Sequence, residues 1–182
     1  MKTITDFLNK NGSTKEDKHS YSMIYNQLFA NFDRNAKLDI LESGVEFGGS
    51  LYTWKEFFPN ARVTGVDIKD QRRPELIRDD VEFILSDIKD YQADRMFDII
   101  VEDGSHSNED AIWAAVNLSK LLKPGGVLII EDVQEGFMVP FVLWGKLSGD
   151  YILHAIDLRR ITHSHDNFLI LITPIEVNRE TR

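Results

Sequence analysis

Short apolar runs rich in β-branched residues recur along the chain at Leu38–Glu42, Val63–Asp67, Val81–Leu85, Phe97–Val101 and Val127–Glu131. Runs of this length, bounded by glycine, proline or acidic residues, predict strands buried on both faces. Segments of helical character begin near Ser50, Asn108 and Gln134 and fall between or after them. Two further strands, Tyr151–Leu158 and Asn167–Thr173, are separated by Arg159-Arg-Ile-Thr-His-Ser-His-Asp166, a connection that suits a hairpin. At the start, a helical stretch ending at Leu8 and a second with Tyr21, Ile24, Tyr25, Leu28 and Phe29 on one face flank the polar segment Lys10 to Lys18. Trp54, Trp113 and Trp144 lie on helical apolar faces and are expected in the core. The alternation predicts an α/β fold: a doubly wound, seven-stranded, mostly parallel sheet with helices on both faces and the last strand antiparallel. Residues 1–182 are read as a single domain, with 1–33 a helical N-terminal cap segment.

Composition narrows the partners. A chain of 182 residues suits one domain that buries roughly 70% of its unfolded surface. No apolar stretch approaches the ~18 residues of a membrane span, and Met1-Lys-Thr-Ile-Thr-Asp lacks the apolar run of a signal peptide. Cysteine is absent, which excludes disulfides, zinc thiolates and thiol catalysis and points to a reducing cytoplasm. The formal charge of −9, with only the basic pairs Arg72-Arg73 and Arg159-Arg160, tells against nucleic acid.

The chemistry gathers at the ends of the predicted strands, where ligands bind in open parallel sheets. The first run is followed by Leu41-Glu-Ser-Gly44-Val-Glu-Phe-Gly48-Gly49-Ser-Leu, whose glycines permit a sharp turn and close ligand approach at the mouth of a helix. The spacing is neither G-x-G-x-x-G nor a P-loop. E-x-G-x-x-x-G-G resembles motif I of class I S-adenosylmethionine-dependent methyltransferases, which have a Rossmann-like fold. Downstream, Asp67 ends the second strand, where a carboxylate accepts hydrogen bonds from ribose hydroxyls, and Asp87 falls near the adenine. Glu42, Gly44, Gly48, Ser50, Asp67, Ile68, Asp87 and Asp103 form the expected donor-binding set. The alternative is structural: Gly44 and Gly48 as tight-packing glycines, Asp67 as a helix cap.

Two acidic clusters, Asp103-Gly-Ser-His106 and Glu131-Asp132, follow the fourth and fifth runs and together can hold a divalent metal beside a general base. Combined with Lys18-His19-Ser-Tyr21 and Gly-Gly-Ser-Leu51-x-x-Trp54-x-x-x-Phe58-Pro59, they resemble the metal-dependent sugar O-methyltransferases of macrolide biosynthesis and the neighbouring rhamnosyl O-methyltransferase and cephalosporin-hydroxylase group. The resemblance covers residues from about 12 to 135. It implies Asp103, Glu131 and Asp132 as Mg²⁺ ligands, His106 as catalytic base, and a glycoside or sugar of a natural product or glycan as acceptor. Glu102 stands where the family commonly has aspartate, the segment before Lys18 copies Gly-Thr-Asp-Lys poorly, and the auxiliary N-terminal domain of the macrolide enzymes has no counterpart in these residues.

The residues independently support that chemistry. A sugar hydroxyl is a poor nucleophile at neutral pH, so methyl transfer to it needs a metal to lower its pKa, a base to take its proton, or both. Structural alternatives remain: Ser105 or Asn108 as cap of a helix with apolar positions Ile112, Val116 and Leu122, Glu131-Asp132 as a helix cap, and His163-x-His165 as a solvated pair. His19 and Tyr21 are read equally as cofactor or substrate contacts and as structural residues. Other functional classes stay open as well, a catechol-type O-methyltransferase or a non-catalytic nucleoside-binding module, and the acceptor site can be completed by a second copy in a homo-oligomer.

Overall fold

The computed structural model describes residues 2–30, 32–134, 136–163 and 165–175. Strands β1 (Asp39–Ser43), β2 (Arg62–Asp67), β3 (Val81–Leu85), β4 (Phe97–Glu102), β5 (Leu122–Ile130), β6 (Tyr151–Asp157) and β7 (Phe168–Pro174) form one sheet in the order β3-β2-β1-β4-β5-β7-β6. The first five pair in parallel, and β7 runs antiparallel to both β5 and β6. This is the expected doubly wound sheet with its last strand reversed. Strand order switches direction between β1 and β4, so a crevice opens at their carboxyl ends.

Alternate strand residues bury on opposite faces. Ile40, Val63, Ile99 and Ile129 pack under α1 (Ile4–Asn11), α3 (Ser22–Phe29) and α4 (Gly49–Phe57), through Leu8, Tyr25, Phe29, Trp54 and Phe57, with a short α2 (Thr14–Asp17) between α1 and α3 in the chain. Leu41, Ile100, Leu128 and Ile170 pack under α5 (Asn108–Leu118) and α6 (Met138–Leu147), through Ala111, Ala115, Val139 and Leu143. Each fully buried large aliphatic or aromatic side chain contributes about 1.5–3 kcal/mol.

The N-terminal segment is shaped by its caps. Thr3 and Asp6 form a capping box for α1. Gly12 ends that helix in the left-handed region, and Ser13 caps α2 at once. The segment passes over the start of α4, where a Cβ on Gly49 would lie 3.0 Å from the Asn11 carbonyl oxygen. A larger residue there would press the segment away from α4 by a few tenths of an ångström.

Several local expectations change. The helix expected near Gln134 begins at Met138, because the Val133 amide donates to the Phe168 carbonyl (3.0 Å) and keeps the chain extended. Gly136 then rests on the Phe168 ring, which a Cβ would approach to 2.3 Å. The connection between β6 and β7 contains a single turn of helix, α7 (Arg159–Thr162). Ser107, not Ser105 or Asn108, caps α5, and its buried face is Ala111, Ala114, Ala115 and Leu118, while Leu122 opens β5. Trp54 is core and Trp113 half-buried, but Trp144 is 66% exposed, because Val139, Leu143 and Leu147 already fill the inward stripe of α6. No helix among the described residues is long and apolar enough to cross a membrane.

Candidate active site

A cleft of about 500 Å³ lies across the carboxyl ends of β1 to β5. It has the size of a cofactor pocket, and its two halves are built differently.

The half formed by β1, β2 and β3 is a loop architecture. Gly44, at φ 81°, seats the β1 loop on the β4 loop: a Cβ there would lie 2.0 Å from the Asp103 carbonyl oxygen. Asp67 Oδ2 accepts from the amides of Val45 (2.7 Å) and Glu46 (3.0 Å), and Oδ1 from the amide of Lys69 (2.9 Å). The carboxylate thus shapes the glycine loop and the turn after β2, and keeps lone-pair sites for a ligand. Ile68, 66% exposed, and Asp87 line the same side, with Ser50 at the start of α4. Gly48 is the left-handed N-cap of α4, and a Cβ on it would strike the Tyr52 ring at 2.8 Å. Its conformation serves the loop itself. Glu42 lies fully buried beneath the loop with neither carboxylate oxygen hydrogen-bonded, and burial pushes its carboxyl up to about 7.

The other half is a cluster of buried charge. Asp103, His106 and Asp132 each offer a ligand atom within 4.8 Å of the others. Hard carboxylate oxygens at two of these positions fit Mg²⁺. His106 and Asp132 hold left-handed backbone (φ 58° and 54°), an unfavourable conformation for such residues that recurs at functional sites. His106 Nε2 lies 3.0 Å from Asp103 Oδ1 and 3.6 Å from Asp132 Oδ2. Its hydrogen bond with Asp103, only partly offset by burial, raises it to about 9, so the imidazole is cationic at neutral pH in this arrangement. Glu131 does not join the trio among the described residues; Lys15 and Tyr25 take its two oxygens.

Three side chains of the N-terminal segment grip this cluster from behind. Lys15, 2% exposed, directs Nζ to Asp103 Oδ2 (2.5 Å), to Glu131 and, at 3.5 Å, to Glu42. Tyr25 donates to Glu131 and Tyr21 to Asp132. Burial opposes the charge on Lys15, but Asp103, Glu131 and Glu42 outweigh it and keep the ammonium protonated. Burial likewise opposes ionisation of Asp103, yet Lys15 and His106 hold its carboxyl well below the usual range. His19 lines the cleft, 3.3 Å from Asp132 Oδ1, stacked on Tyr21 and paired with Asn167. Tyr21 is wholly buried and touches two residues that line the cleft, Asp132 and His19.

Lys15 is one of two site residues that sequence reading missed. Its signal was Gly12-Ser-Thr-Lys15, which keeps the first and last residues of Gly-Thr-Asp-Lys. Asp110 was also missed; it lines the cleft and holds Ser105 and Lys89, tying the β4 loop to the β3 loop.

Among curated proteins, the chain is 34% identical over 156 residues to the 8-demethyl-8-alpha-L-rhamnosyl tetracenomycin-C 2'-O-methyltransferase of Streptomyces olivaceus, covering 78% of this chain and 39% of that one. It is 32% identical to the mycinamicin VI 2''-O-methyltransferase of Micromonospora griseorubida, covering 68% and 34%. The chain therefore spans between a third and two fifths of the length of these relatives. Among solved structures, the methyltransferase of the mycinamycin biosynthetic pathway, in complex with Mg and SAH, matches all of this chain and 57% of its own at a TM-score of 0.74 and 22% identity, a likeness of fold. The family model described as a methyltransferase domain matches residues 41–133, from β1 through the acidic cluster after β5. This chain belongs to that methyltransferase-domain family.

Proposed function

We propose that this domain transfers a methyl group from S-adenosylmethionine to a sugar hydroxyl of a natural-product glycoside or a glycan, with Mg²⁺ as a second cofactor. The observation that carries the reading is the convergence of Asp103, His106 and Asp132 at one end of a cleft whose other end holds the glycine loop and Asp67. The names of the two curated relatives, both sugar-directed O-methyltransferases, support the acceptor class. When bound, S-adenosylmethionine supplies an electrophilic methyl on a sulfonium, and Mg²⁺ supplies a Lewis acid that makes a hydroxyl more acidic.

Glu42, Gly44, Gly48, Ser50, Asp67, Ile68, Asp87 and Asp103 make up the donor side. Gly44 keeps the β1 loop low, Asp67 accepts ribose hydroxyls while fixing that loop, and Ile68 offers an apolar surface to the adenine. Asp103 and Asp132 would hold the metal through oxygen, and Glu131 completes the acidic set in contact with Lys15 and Tyr25. Mg²⁺ prefers oxygen to imidazole, which leaves His106 Nε2 to accept the hydroxyl proton. His106 is cationic here because its ring is hydrogen-bonded to Asp103 and faces Asp132; a dication shared by those carboxylates weakens that pull and frees the base.

Residues 1–182 act in this reading as one domain, capped by residues 1–33. A reducing cytoplasm suits the cysteine-free composition. The test is transfer of labelled methyl from S-adenosylmethionine to a panel of sugar and phenolic acceptors, with Mg²⁺ or with chelator. Metal-dependent labelling of sugars supports the proposal. Full activity in chelator removes the metal role, and labelling of phenols alone would favour the catechol-type reading.

A further inference from the structure

Buried carboxylates need compensation, and the cluster behind the cleft contains three that are nearly inaccessible or reach inward: Glu42, Glu131 and the Oδ2 side of Asp103. One cation meets all three, the Nζ of Lys15. Lys15 is itself 2% exposed and lies on the four-residue α2, held against the start of α4 by the Gly12 turn and the Gly49 packing. A lysine is almost never buried this completely without paired acids. Here the pairing spans 88 residues to Asp103 and 116 to Glu131, so it ties the N-terminal segment to the ends of β4 and β5. The two oxygens of Asp103 are divided: Oδ2 faces Lys15, and Oδ1 faces His106 in the cleft.

We propose that Lys15 is a positioning residue, a tethered cation built into the acidic cluster, which holds Asp103 and Glu131 from behind and presents Asp103 Oδ1 to a divalent ion shared with Asp132. The inference rests on the metal reading of the same cluster and assigns it two cation positions. The inner one is filled permanently by an ammonium, and the outer one exchanges. Lys15 touches neither donor nor acceptor. Its part is to keep the carboxylates close together when the outer ion is gone, so that the domain stays folded without metal.

The test uses Lys15→Met, which keeps much of the aliphatic volume and removes the charge. Thermal unfolding is followed with chelator and with saturating Mn²⁺, while electron paramagnetic resonance counts bound Mn²⁺. In chelator, Lys15→Met should lower Tm by roughly 10 °C, the scale expected for breaking a buried ion pair in a domain of this size. Saturating Mn²⁺ should recover at least half of that loss, because a mobile cation then neutralises the acids. Wild type should gain much less from the same ion. Equal losses with and without Mn²⁺ would overturn the inference and leave Lys15 a packing residue.

A second variant guards against simple misfolding. Lys15→Met with Glu131→Gln removes one charge from each side and should be more stable in chelator than Lys15→Met alone; a double variant no better than the single would also overturn the inference. Wild type that binds no Mn²⁺ would refute the metal reading. The double variant would still decide the role of Lys15.

Discussion

The two halves of the cleft solve different physical problems. On the donor side, Asp67 and Gly44 are met by backbone: Asp67 takes amides of Val45, Glu46 and Lys69, and Gly44 meets the backbone of Asp103, while Glu42 beneath the loop is approached by Lys15. On the metal side, buried charges are satisfied by side chains from the far end of the chain, Lys15, Tyr21 and Tyr25. Ligand recognition through backbone-held groups at an open loop tolerates water. Concentrated charge needs paired, rigid partners, because an uncompensated buried charge is far more costly than a missed neutral hydrogen bond.

The comparison breaks most sharply at the metal side. Asp103→Asn should reduce methyl transfer by about three orders of magnitude or more, since it removes the carboxylate charge that would hold the metal and that pairs with His106 and Lys15, while S-adenosylhomocysteine binding falls far less. Parallel kinetics and calorimetry check this; equal losses in both would merge the two halves. His106→Ala should cost about 10²–10⁴-fold in kcat with Mn²⁺ affinity little changed, the range for a lost general base. A comparable loss of metal affinity would instead make the imidazole a ligand.

The donor side breaks by geometry. Gly44→Ala should weaken S-adenosylhomocysteine binding at least tenfold and lower Tm, because its Cβ would overlap the Asp103 carbonyl and φ 81° disfavours a side chain. Unchanged binding would show that the loop moves aside freely. The smallest effect belongs outside both halves. Trp144→Ser should change stability by about 0.5 kcal/mol or less in denaturant titration, because the ring is largely in solvent; a large loss would mean a burial that the isolated fold lacks.

The same division explains what the sequence could convey. Strands β1, β2, β4 and β5 were legible as β-branched runs because a strand buried on both faces is uniformly apolar. The glycine loop, Asp67, Asp103 and His106 followed from their position at strand ends. Lys15 carried only the faint signal of Gly12-Ser-Thr-Lys15, because a lysine in a polar segment looks solvent-facing and its partners lie 88 and 116 residues away. Trp144 misled for the opposite reason: helical spacing alone does not say which stripe faces inward. The late start of α6 depends on the contact of Val133 with β7, a pairing set by tertiary structure.

The most direct test is calorimetric titration of S-adenosylhomocysteine into the wild-type domain and Asp67→Ala, each with Mg²⁺ and with chelator. Two separable halves require binding that chelation spares and that Asp67→Ala weakens at least tenfold, the loss of one or two hydrogen bonds to a charged group. Binding lost on chelation, or untouched by Asp67→Ala, would contradict the division of the cleft into a backbone-built donor side and a charge-built metal side.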